Sequence, residues 1–165
     1  MTALTRRPTT ISTVAAAAAT IVALLTAVIG SIEGGVLAVF GASLIAVGLF
    51  RSTGRVVDIG AGSIFVAVVV AGVQGLSTEL VVVGTIAAIV AWDLATNAIK
   101  LGIQLGREAQ TTRLESVHVI ASVTVGVSAA TVGYGAFVFG SEGQPVGAIV
   151  LLVLAVLFLL SGLRR

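Results

Sequence analysis

The chain contains no cysteine, which removes disulfides, thiolate metal sites and a cysteine nucleophile from consideration. It has one histidine, His118, too few for a multi-histidine metal site or a bis-histidine haem within one chain. Charge is scarce as well: 10% of the residues are Asp, Glu, Lys or Arg, against roughly 25% in a soluble domain. A surface that poor in charge does not keep a domain dissolved. Nor can a chain of 165 residues, 58% of them hydrophobic, hide them all in a core, because a domain this small exposes much of its surface. A bilayer resolves the conflict by acting as the solvent. Nucleic acid is not expected as a partner despite a net charge of +2, because the nine basic residues are scattered in short connections and not gathered on one face. No phosphate loop, glycine-rich dinucleotide turn or Ser-His-Asp set is expected, and Gly133-Tyr134-Gly135 lies inside an apolar run without a strand–turn–helix context. No catalytic residue, cofactor or metal is expected.

What the chain has in quantity is long apolar runs, with a mean hydropathy of +1.19. After a polar tail at 1–10, where Thr9 or Thr10 can cap a helix, residues 11–29 run without a charge. At ~1.5 Å per residue that run nearly matches a hydrocarbon core of ~30 Å. A basic start and an Ala-rich run are also ingredients of a signal peptide, but no secreted domain follows. Further spans are expected at 35–50, 56–73, 80–99, 117–139 and 146–163, separated by turns at 30–34, 51–55, 74–78 and 140–145. A polar cytoplasmic connection covers 100–116 and a basic terminus 164–165. Asp58 should sit in the first turn of the third helix, where the helix dipole favours a negative charge.

The loop charges test this count independently. Arg6 and Arg7, Arg51 and Arg55, Lys100, Arg107 and Arg113, then Arg164 and Arg165 occupy alternate connections, while the opposite turns hold only Glu33, Glu79 and Glu142. The positive-inside rule then places both termini in the cytoplasm. The expected fold is all-α, an integral membrane bundle of six transmembrane helices in the cell membrane. Small residues recur every four positions: Ala15, Ala19, Ala23 and Ala27 on the first helix, Ser63, Ala67, Ala71 and Gly75 on the third, Ser122, Gly126 and Ala130 on the fifth. Such rows let helix backbones approach closely in lipid.

One stretch departs from the apolar pattern. Asp93, Asn97 and Lys100 fall at i, i+4 and i+7 and share a helical face, with Trp92 beside them. Glu115, His118 and Ser122 lie at i, i+3 and i+7 on the next helix, and Asp58 should stand at the same depth on the third. The topology gathers Asp58, Asp93, Asn97, Lys100, Glu115 and His118 into one layer near the cytoplasmic face. One reading makes this layer an ion, proton or ligand site, because ionisable groups in a membrane are costly and face a bundle interior or water. The other is structural: Asp93 pairs with Lys100 or a neighbouring arginine, Asn97 bonds between helices, and every group snorkels to the cytoplasm. Glu115-x-x-His118 has the spacing of a di-iron half-site, but the second pair and two further glutamates that such a site needs are missing.

Through residues 91–109, His118, Val132-Gly133-Tyr134-Gly135 and Gly143-Gln144-Pro145, the chain resembles a haloarchaeal family of small, Ala/Val/Gly-rich multipass proteins known as a domain of unknown function. The resemblance extends from Arg6 to Arg165, and its motifs specify no chemistry. It implies an accessory role, on the expectation that members are encoded near MoxR-type ATPases and von Willebrand-like membrane proteins. The chain departs from the usual acidity of haloarchaeal proteins, its short loops leaving little room for acidic side chains. The expected function is therefore a non-enzymatic accessory or scaffold subunit of a prokaryotic membrane complex, with residues 100–113 docking a cytoplasmic partner or the anionic inner leaflet. The alternative is a small transporter or channel subunit whose inner mouth is lined by the polar layer.

Overall fold

The computed structural model describes residues 8–105 and 112–140. They form five helices: α1 (Thr10–Gly30), α2 (Ile32–Phe50), α3 (Gly54–Val73), α4 (Thr78–Leu105) and α5 (Thr112–Gly140), with no strand among the described residues. All five are long and apolar enough to cross a membrane. Five of the expected spans thus have their helix, and the sixth, at 146–163, lies outside the described residues. The helix at 80–99 is longer than expected: α4 has 28 residues, ~42 Å at the usual rise, and carries Lys100 to Leu105 past the length a bilayer needs.

The first turn is shorter than the glycines suggest. Only Ser31 separates α1 from α2; its backbone is extended and its Oγ accepts from the Gly34 N–H at 2.9 Å. Gly34, which the sequence places in the turn, is instead buried in the first turn of α2, and Gly35, the expected first residue of the span, is buried beside it. A Cβ on Gly34 would stand 2.9 Å from the Ala67 carbonyl oxygen, so the glycine serves close packing on α3. Gly75 has the reverse role. The sequence counts it both in the small row of α3 and in the turn at 74–78; it takes the turn, just past the end of the helix with φ +103, and Leu76 N–H donates to Ala71 C=O at 3.1 Å across it. Helix α3 begins at Gly54, which moves Asp58 out of the first turn and into the second.

Two close helix pairs make the core. Helix α2 packs most extensively against α3, and α1 against α4. On α2 the buried row is Gly34, Ala38, Gly41, Ile45 and Gly48, and on α3 it is Val57, Gly60, Ala61, Ile64, Ala67 and Ala71. On α1 the buried face runs through Ser12, Ala16 and Thr20, one position round from Ala15 and Ala19, and continues through Ala23 and Ala27. Opposite it stand Ala88, Ala91, Leu94, Ala95 and Ala98 of α4. The fifth helix uses the row expected of it: between residues 120 and 130 only Ser122, Gly126 and Ala130 are not exposed. A Cβ on Gly126 would sit 3.0 Å from Ile86 Cγ2, which places this stretch of α5 on α4. The packed unit extends through Ala130, and α5 from Thr131 onward belongs to a second compact unit, in which the Tyr134 and Phe137 rings lie 6.5 Å apart.

Candidate functional site

Four helices bring polar groups to one end of the bundle: the start of α1, the start of α3, the C-terminal part of α4 and the start of α5. The Thr9 N–H donates to the Ala98 carbonyl at 3.2 Å, tying the entry of α1 to α4. Thr9 occupies the N-cap position of α1 but makes no side-chain cap, and its buried hydroxyl has no partner among the described residues. The free N–H of Ser12 in that first turn is satisfied from another helix. Glu115 of α5, 3% exposed, accepts from it through Oε2 at 2.9 Å. A carboxylate here meets both an orphan backbone donor and the positive end of the α1 dipole.

Trp92 and Asp93 are successive residues on α4, so their side chains diverge by about 100° around the helix. Trp92 turns to α3, where its Nε1 donates to Asp58 Oδ1 at 2.7 Å. A shallow groove of about 300 Å³ opens beside this pair, floored by Ala61 and Ala88. Asp93 turns to α5. Its Oδ2 accepts from the Ser122 hydroxyl at 2.5 Å and stands 3.0 Å from His118 Nε2. Ser122 Oγ is also 3.5 Å from that ring nitrogen. Asn97 is half-buried one turn further along, and its Nδ2 lacks an acceptor among the described residues. Lys100 is exposed and has no partner among them.

The expected layer is therefore three separate contacts at one end of the bundle. Asp93 does not pair with Lys100 along its own helix, as the i, i+7 spacing suggests, but with His118 and Ser122 across to α5. Glu115 and His118 share no site either, because one faces the start of α1 and the other faces Asp93. Among the described residues no three His, Asp or Glu gather as a metal site would need. Asp93, His118 and Ser122 do meet, a Ser-His-Asp set that the sequence does not announce. Its wiring is not that of a hydrolase, in which serine and aspartate bind opposite ring nitrogens of the histidine. Here both approach the same nitrogen, Nε2, and the serine donates to the aspartate. Ser122 was recognisable on the face of His118; the Ser12 N–H was not, because a backbone donor leaves no mark in a sequence. Replacing Asp58 with alanine is expected to change the emission of Trp92, the sole tryptophan, while costing less than about 1 kcal/mol at this exposed bond. Unchanged fluorescence would remove the contact.

Fold and site together define an all-helical protein of membrane-length apolar helices, cross-linked by polar contacts near one end. Residues 6–160 match the model of a family of unknown function, DUF7519, and the chain belongs to that family. No curated protein and no solved structure matches it.

Proposed function

We propose that the protein is a non-enzymatic accessory or scaffold subunit of a prokaryotic membrane complex, set in the cell membrane with both termini in the cytoplasm. The observation that carries this reading is how the carboxylates of the polar layer are used. Asp58 is held by Trp92, Asp93 by His118 and Ser122, and Glu115 by the start of α1. Each makes a contact with another helix, which braces the bundle and supports a structural use of the layer. The sorting of all nine basic residues onto alternate connections supports the orientation. A haloarchaeal origin rests on the resemblance alone.

The docking surface in this reading is the polar connection at 100–113. On its described flanks Lys100, Ile103, Gln104, Arg113 and Leu114 are all exposed, a mixture of cationic and apolar groups suited to a cytoplasmic partner or an anionic leaflet. Affinity purification from native membranes in mild detergent, read by mass spectrometry, should return stoichiometric partners. Replacing residues 104–113 by a Gly/Ser linker should release them. Partners that all remain bound to the linker variant would end the docking idea.

The transporter or channel reading is kept alive by one observation. The His118 and Asp93 side chains are 37% and 43% exposed, and the Asn97 amide beside them lacks an acceptor among the described residues. In that reading Asp93→Asn abolishes flux in proteoliposomes while the protein still inserts and stays folded. The scaffold reading expects the same variant to leave partner binding intact.

A further inference from the structure

The α1–α2 hairpin is drawn in two directions. Near the Ser31 turn its helices are in close contact, with a Cβ on Gly35 only 3.3 Å from Val28 Cγ2. Away from the turn, α2 is held to α3 by the crossing at Gly41 and Gly60 and again at Gly48 and Val57, while α1 is held to α4 by the alanine face. The two arms separate there, and a groove of about 630 Å³ opens between them, within the size range of small-molecule sites. Small side chains, Ala17, Ala42 and Ala46, keep it open, and Phe50 stands at its outer end.

The lining is mostly apolar, with Thr10, Thr13 and Thr20 as its hydroxyl-bearing side chains. Thr13 and Thr20 line it, but the Thr13 hydroxyl donates to Thr9 C=O at 2.6 Å and the Thr20 hydroxyl to Ala16 C=O at 2.8 Å. Neither has a proton to offer to a polar ligand. On α1 the lining runs from Thr10 to Ile21, ~16 Å at the helical rise. That is about half of a ~30 Å hydrocarbon core, the depth of one leaflet. At the outer end Arg51 follows Phe50, exposed and without an ion-pair partner among the described residues.

We infer that this groove is a lipid site, taking one hydrocarbon chain of an anionic phospholipid with its phosphate against Arg51. A concave slot inside hydrocarbon that is left unfilled loses the dispersion contacts of its walls. An occupant one leaflet deep, largely apolar and anionic at its outer end matches the length of the slot, its mostly apolar walls and the Arg51 at its end. The inference rests on the membrane reading of the chain and adds a specific lipid to it.

The test begins with carbonate extraction of native membranes, where release of the chain would overturn the membrane reading and this proposal with it. A chain that stays in the membrane is then purified in mild detergent, and binding of phosphatidylglycerol and phosphatidylcholine is titrated by native mass spectrometry. One phosphatidylglycerol should bind in preference to phosphatidylcholine. Arg51→Gln, a change at an exposed position, should weaken phosphatidylglycerol about fivefold and leave phosphatidylcholine unchanged, one arginine being worth roughly 1 kcal/mol toward an anionic lipid. Ala46→Phe, which fills the slot, should weaken both lipids. Equal binding by wild type and both variants overturns the site while leaving the membrane reading intact. Cross-linking of a cysteine placed at Ala46 to a second copy or another protein, in place of lipid, overturns it as well.

Discussion

Replacing Glu115 with alanine is expected to be among the most damaging single changes in this chain, at about 3 kcal/mol of unfolding free energy. The reason lies in what the carboxylate leaves behind. Glu115 is 3% exposed and accepts from the Ser12 N–H, itself in a residue that is fully buried. Water cannot replace the acceptor there, so the first turn of α1 keeps an unsatisfied donor in a low-dielectric setting. Thr9 does not compensate, because its side chain makes no cap bond. Glu115→Gln retains an acceptor oxygen without the charge and should recover about half of the loss. Glu33→Ala provides the contrast. Glu33 also lies in a helical first turn, but it is exposed, and its removal should stay within about 0.5 kcal/mol. Unfolding titrations in mixed micelles give the energies, and hydrogen exchange at residues 10–13 gives the location. Faster exchange there in the alanine variant is expected; stability equal to wild type would show that the start of α1 does not depend on α5.

The five described helices were readable from run length, because a bilayer fixes how long an apolar segment must be. Much less readable was what each small residue does. Gly34, Gly35 and Gly75 look alike in a sequence, yet the first two provide close approach and the third provides a left-handed backbone. Glycine serves both ends through the same missing Cβ, so only the neighbouring helix decides. The register on α1 was ambiguous for a similar reason: Ala15 and Ala16 are equally small, and it is the buried Ser12 and Thr20 that mark the face. The polar layer shows the same limit. That Asp93, Asn97, Glu115 and His118 fall near one end of their helices follows from spacing along the chain. Their partners do not, because Asp93 could reach Lys100 along α4 as easily as His118 across a gap. Gly126 settles the choice by letting α5 approach Ile86 and Val90 closely enough to bring His118 to 3.0 Å.

Two glycines two residues apart on α3 should respond to alanine in opposite directions. A Cβ on Gly60 would stand 2.7 Å from the Gly41 carbonyl oxygen and 2.8 Å from the Ile45 nitrogen. Both are backbone atoms of α2, so no side chain can rotate away to make room. The helices must move apart, and the contacts of Ile45 and Ile64 at the same crossing loosen with them. Gly60→Ala is therefore expected to cost about 3 kcal/mol, at the upper end for overpacking. Gly62 has no atom within 4 Å of its Cβ position. There alanine adds only its helix preference, and Gly62→Ala should stabilise the protein by up to about 1 kcal/mol. The same geometry predicts how the crossing behaves when changed twice. A Cβ on Gly41 would meet Gly60 O at 2.6 Å, the reciprocal of the first clash. Once the helices have separated for one methyl group, the second finds the space already made. Gly41→Ala and Gly60→Ala together should thus cost clearly less than the sum of the two singles, the non-additivity expected of one shared contact. Strict additivity would place the two glycines in separate contacts and remove the crossing that holds α2 to α3.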